Sequence, residues 1–149
     1  MHLFNTLSVI TVCNQIVAIT HFTTLSKQAI KAPILFVHAE NDWDIPYTHS
    51  ETLFDAILEP LLPSSPTTPT TSWSQEDWDT FSSVQSERTR VRTNIVTHTE
   101  IRHFGTMDEF ARKDEGKVVL LKTVDGGHNR IGTFEGVQDV IRATFDLRW

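Results

Sequence analysis

The stretch Pro33-Ile34-Leu35-Phe36-Val37-His38-Ala39-Glu40-Asn41-Asp42-Trp43-Asp44-Ile45-Pro46 opens as an apolar run and closes as an acidic one. From Pro33 to His38 no polar residue alternates with the apolar ones, the pattern of a short strand buried on both faces of a parallel sheet. The run then breaks abruptly into a loop dense in carboxylates. Just beyond it, Thr48 and Glu51 match a capping box, and Leu53, Phe54 and Ile57 recur at helical spacing. The sequence therefore predicts a helix from near His49 to about Leu58.

A second unit of the same kind closes the chain. Lys117 to Val124 holds the run Val118-Val119-Leu120-Leu121, again a buried strand. After a loop from Asp125 to Gly132, the residues Val137, Val140, Ile141 and Phe145 mark one face of an amphipathic helix, interrupted only by Thr144. Strand, loop and helix, twice over, predict an α/β architecture with a parallel sheet. Two strands alone leave unpaired edges and a half-made core, so further strands upstream are expected.

Between the two units the composition changes. Pro60, Pro63, Pro66 and Pro69 fall at every third position within 59–74, which predicts an extended polyproline-like surface segment. No Arg flanks these prolines, so a linker is preferred to a ligand for an SH3-type groove. Trp73 to Val84 reads as a short helix or lid, with Trp73 and Trp78 packing on the body. Val91 to Ile101 reads as a strand or extended arm. Thr106 and Glu109 match a second capping box, which predicts a short helix through Arg112 stopped at Gly116. At the other end, Met1 to Phe22 is apolar but broken by Asn5, Asn14 and Gln15, and predicts a helix followed by a connector. It falls short of the roughly 20 uninterrupted apolar residues of a membrane span. The first Lys or Arg is Lys27, too late for a secretory signal.

The bulk properties narrow the partners. In 149 residues, 39% hydrophobic and 21% charged content is the balance of a folded globular chain, and a net charge of −6 disfavours nucleic acid backbones and anionic lipid surfaces. Cys13 is the sole cysteine, which excludes an internal disulfide and any multi-cysteine metal site.

In open parallel sheets, functional groups gather in the loops that leave the C-terminal ends of the strands. Here those loops are His38 to Pro46 and Asp125-Gly126-Gly127-His128-Asn129, whose paired glycines suit a tight turn that presents His128. A carboxylate after one strand and a histidine after its neighbour can meet above the sheet. There the acid holds the imidazole in one tautomer and stabilises the imidazolium, the orienter and base of a catalytic triad. The separation, 128 − 42 = 86 residues, is taken up by the inserted segment.

The stretch from Ala32 to Pro46 resembles the acid-bearing strand and loop of the α/β-hydrolases, where the acid is the Asp four residues before Pro, here Asp42. Asp125 to Ile131 resembles the final histidine loop of that family, with His128 as base. The wording His38-Ala39-Glu40-Asn41-Asp42 followed by Ile45-Pro46 is most similar to the serine hydrolases that act on monoacylglycerols and lysophospholipids. The resemblance covers 32–58 and 117–147. It implies the C-terminal portion of an α/β-hydrolase fold, with the last two parallel strands and their helices and an insertion between the acid strand and the histidine strand. It also implies a small lipid or ester substrate, an acyl-enzyme mechanism and no cofactor. Any membrane anchor of such relatives would lie N-terminal to this region, so localisation stays open. The chain then divides into an apolar helix and connector (1–31), the acid strand, loop and helix (32–58), a Pro/Ser/Thr-rich insertion with a lid-like segment (59–116), and the histidine strand, loop and helix (117–149).

The family's nucleophile sits in a Gly-x-Ser-x-Gly elbow. None occurs here, and the first glycine is Gly105, so neither Ser8 nor Ser26 fits such a turn. The expectation is a chain that begins after the nucleophile strand, as from a shortened gene model, and is inactive alone. The alternative is a non-catalytic binding module or decayed hydrolase copy, which would pair with another chain through an exposed sheet edge.

Other assignments compete for the same residues. Asp42 is also suited to bond its own turn, Asp44 is the rival acid, and Glu40 is expected to support the loop. His38 is read as structural, and His49, His98 and His103 as solvent or packing residues. His38, Glu40, Asp42 and Asp44 alternate, as a metal site on one face of an extended segment would require, and Glu51 falls twelfth in a calcium loop begun at Glu40. Ile45 stands where such a loop requires glycine and Pro46 follows it, so no metal is expected.

Overall fold

The computed structural model describes residues 31–66 and 72–147. The helix and connector expected over 1–31, with Ser8, Cys13 and Ser26, lie outside these residues apart from Lys31, as does Pro69 in the proline-rich segment.

Strand β1 (Ile34–Ala39) and helix α1 (Thr48–Leu58) form where the apolar run and the helical spacing predict them. The Thr48/Glu51 capping box is corrected. Tyr47 is the N-cap, no side chain caps the helix, and the Glu51 carboxylate instead meets Lys122 Nζ at 2.6 Å. A charge partner on the neighbouring strand outcompetes a backbone N–H for that carboxylate. A single 3-10 turn (Glu59–Leu61) follows α1, in place of an extended segment from residue 59.

Helix α2 (Gln75–Ile95) is far longer than the short helix expected at Trp73–Val84, and it absorbs the first half of the arm expected at Val91–Ile101. A capping box starts it: the Ser74 hydroxyl accepts from the Asp77 N–H, and the Asp77 carboxylate accepts from the Ser74 N–H. Neither Gly nor Pro interrupts it before Ile95. None of its residues is buried, so Trp73 and Trp78 are not core residues as expected. Their rings lie tilted against each other at 4.4 Å and meet Phe81 edge-on at 5.4 and 6.3 Å. The C-terminal half of α2 is tied to the body by Arg92–Asp55 (2.8 Å) and Arg88–Glu59 (2.6 Å), and Ile95 and Val96 pack against the core.

Strands β2 (Thr97–Ile101), β3 (Gly105–Arg112) and β4 (Gly116–Thr123) follow. β3 lies where a helix through Arg112 was expected. The capping-box pattern at Thr106 is overridden by ladders on both sides, antiparallel to β2 and to β4. Gly105 fixes that pairing, because a Cβ there would stand 1.9 Å from the Lys122 carbonyl oxygen. Gly116, expected as a helix stop, instead leaves the β3–β4 turn with φ +79°.

The sheet order is β1-β4-β3-β2. β1 and β4 run parallel, from Ile34 opposite Val118 to Ala39 opposite Thr123, and the hairpin strands make the whole sheet mixed rather than parallel. The arrangement is of α/β type. The two faces are distinct, as period-2 alternation requires. Ile34, Phe36, Val118, Leu120 and Phe110 pack against Leu53, Phe54, Ile57 and Leu58 of α1. Leu35, Val119 and Leu121 pack against Val137 of helix α4 (Glu135–Phe145). Thr144 of that helix, the polar interruption, is buried with them. Between β4 and α4 lie a one-turn helix, α3 (Gly127–Arg130), and a 3-10 turn (Ile131–Thr133). Among the described residues no helix is long and apolar enough to cross a membrane.

Candidate functional site

The site stands above the C-terminal ends of β1 and β4, the parallel pair at one side of the sheet. The two strands continue their ladder one step past their ends, where the Glu40 N–H donates to the Thr123 carbonyl at 2.7 Å. That is how Glu40 serves the loop: its backbone bonds while its side chain is exposed. The chain then turns tightly, with the Asp42 N–H donating to the Ala39 carbonyl at 3.1 Å.

Asp42 uses its two oxygens differently. Oδ1 accepts the N–H groups of Asp44 (2.9 Å) and Ile45 (3.0 Å), which locks the side chain to its own turn. Oδ2 faces His128 Nδ1 at 3.2 Å and His38 Nε2 at 3.5 Å. The turn-forming and acid-presenting readings of Asp42 are therefore compatible, one per oxygen. Burial works against its charge. The N–H of Ile45, the His128 imidazole and the N–H of Asp44 outweigh it, holding the carboxyl below the ordinary carboxylate range.

His128 reaches Asp42 through the glycine pair. Gly126 has φ +139° and Gly127 φ +52°, both in the region that side chains avoid, and a Cβ on Gly126 would crowd Ile131 at 3.1 Å. The buried Thr123 hydroxyl braces the approach by donating to the Asp125 carbonyl at 2.7 Å. A carboxylate only accepts, so His128 Nδ1 must carry the proton facing Asp42, and the lone pair of the neutral ring then lies on Nε2.

His38 is a different kind of histidine. It is buried, its Nε2 donates to the Ile45 carbonyl at 2.9 Å, and its Nδ1 lies 2.7 Å from the Ser50 hydroxyl. Both nitrogens are committed to holding the acid loop against α1, a structural use. His98 pairs with Asp108 at 2.5 Å on the outermost strand, and His103 accepts from Arg102 at 3.0 Å.

The metal face read from alternation does not form as drawn. The turn at 42–45 breaks the extended geometry, and among the described residues the ligand atoms that gather within 4.8 Å belong to Asp42, Asp44 and His128, without Glu40. Glu51 is engaged by Lys122. No family model, curated protein or solved structure matches the chain.

Sequence reading missed Asn41 and Ser50. Asn41 Nδ2 donates to Asp125 Oδ1 at 3.1 Å, and its Oδ1 accepts the Gly127 N–H at 2.9 Å, so one amide spans both loops. Its only sequence signal is an amide directly before the acid. Trp43, between two aspartates, is 95% exposed, which rules out a core role for its ring. Chemically, the site offers a held carboxylate and an oriented imidazole, the two parts needed to take a proton from a hydroxyl and return it to a leaving group.

Proposed function

We propose that this protein carries the acid and the base of a serine-hydrolase site for carboxylic esters, Asp42 and His128, working through an acyl-enzyme. One observation supports the reading above others: His128 Nδ1 lies 3.2 Å from an Asp42 carboxylate that its own turn holds in place. In that role Nε2 takes the proton of a serine as it attacks the ester carbonyl. Asp42 stabilises the imidazolium, which then protonates the leaving alcohol. The serine would come from sequence outside these 149 residues, since they contain no Gly-x-Ser-x-Gly. The wording of the acid loop favours monoacylglycerol- or lysophospholipid-type substrates.

The test is labelling by a fluorophosphonate probe of the chain and of a version extended upstream to include any elbow serine, each also with His128→Ala. Labelling of the extended form alone, reduced at least about 10³-fold in rate by His128→Ala, is expected. Labelling indifferent to His128, or none in either form, would overturn the reading in favour of a binding module or decayed copy.

A further inference from the structure

Asn41 sits outside the proposed proton path yet touches both loops that make the site. Its amide has a donor end and an acceptor end, and each reaches across the gap: Nδ2 donates to Asp125 Oδ1 at 3.1 Å and Oδ1 accepts from the Gly127 N–H at 2.9 Å. The residues on either side of it in the turn belong to the acid strand's end and to Asp42. The residues it grips, 84 and 86 positions away, are Asp125 just before the glycine turn and Gly127 within it, next to His128. Gly126 and Gly127 both take positive φ, so without Cβ atoms the turn has little intrinsic preference for a single shape. Something outside the turn must choose its shape.

We infer that Asn41 is a positioning residue that fixes the histidine turn against the acid loop and thereby holds His128 Nδ1 on Asp42. The inference rests on the reading of Asp42 and His128 as a pair. Geometry makes the link short: the Gly127 N–H that Asn41 holds belongs to the peptide one residue before His128, and Asp42 follows Asn41 directly. A shift of either loop by about 1 Å would take a 3.2 Å contact beyond hydrogen-bond range. Only a side chain carrying both a donor and an acceptor, at this length, fits the two ends as they stand, since Asp125 is a carboxylate and the Gly127 amide a donor.

The tautomer of His128, read by long-range 1H–15N correlation spectra of the purified chain, gives a signature that a purely structural role would leave alone. The wild type is expected to show the Nδ1–H form. Asn41→Asp keeps the acceptor for Gly127 but sets two carboxylates against each other, and is expected to lose that single signature to a mixture of tautomers. Combining it with Asp125→Asn exchanges donor and acceptor and is expected to restore the Nδ1–H form. Asn41→Ala, which removes both contacts and adds no charge, should give the mixture as well, and covers the case in which the charged variant fails to fold. An unchanged Nδ1–H spectrum in Asn41→Ala, or no rescue in the folded double variant, overturns the positioning role. Asp42→Asn is the separate control: if it leaves the His128 tautomer undisturbed, the Asp42–His128 pairing itself is wrong, whatever Asn41 does.

Discussion

Asp42 is asked to be two things at once, a turn former and the partner of an imidazole, and it does so by giving one oxygen to each. Its carboxyl is held below the ordinary range, so the folded state favours its charged form. A depressed carboxylate adds stability above the unfolded value, about 4, and that contribution is lost as pH falls through the native value. Asp42→Asn should therefore lower the unfolding free energy by about 1–3 kcal/mol at pH 7, with the gap from wild type narrowing below about pH 4. Denaturant midpoints measured for both proteins across pH 2–8 check this, and a gap independent of pH would contradict it. At this scale the sequence was informative about what each residue type can do. The meeting of Asp42 with His128 was legible because both follow apolar runs at strand ends. Asn41 and Ser50 were not, since a single amide or hydroxyl carries no periodic signal, and their partners lie 84, 86 and 12 residues away.

Among the elements, those whose own spacing marks a buried face were readable: β1, α1, β4 and α4 all lie where their apolar residues predict. The insertion was not. β3 shows only one buried residue, Phe110, and owes its strand form to neighbours on both sides, which no local window contains. α2 has no buried face at all, so its length is set by a cap and the absence of breakers rather than by an apolar stripe. Gly105 is the residue on which the hairpin depends. Gly105→Ala would drive a methyl into the Lys122 carbonyl, 1.9 Å away, on the strand that carries the histidine loop. It is expected to cost about 3 kcal/mol or more, seen as a lower midpoint in chemical denaturation. A change within about 0.5 kcal/mol would mean that β3 does not pair with β4 in the register described.

Across the described residues the protein forms three layers, α1 on one face of the sheet and α4 on the other, with α2 alongside and bound mainly by ion pairs. Exposed ion pairs are individually worth little, whereas β4 is buried from Val118 to Leu121. Hydrogen exchange should accordingly rank the chain, with β4 amides slowest and those of 78–86 in α2 faster by orders of magnitude. Equal protection of the two would show that α2 belongs to the same cooperative unit as the sheet.

The parallel pairing of β1 with β4 has a kinetic side. The turns at 102–104 and 113–115 bring β2, β3 and β4 together over a few residues, contacts of the kind that form in microseconds. Ile34 and Val118, by contrast, must find each other across 118 − 34 = 84 residues of chain. Closing so long a loop is entropically costly until the hairpins have shortened the effective path. Asp42 and His128, standing just beyond that last pairing, are thus expected to meet late in folding, after the β2–β3–β4 hairpins have formed.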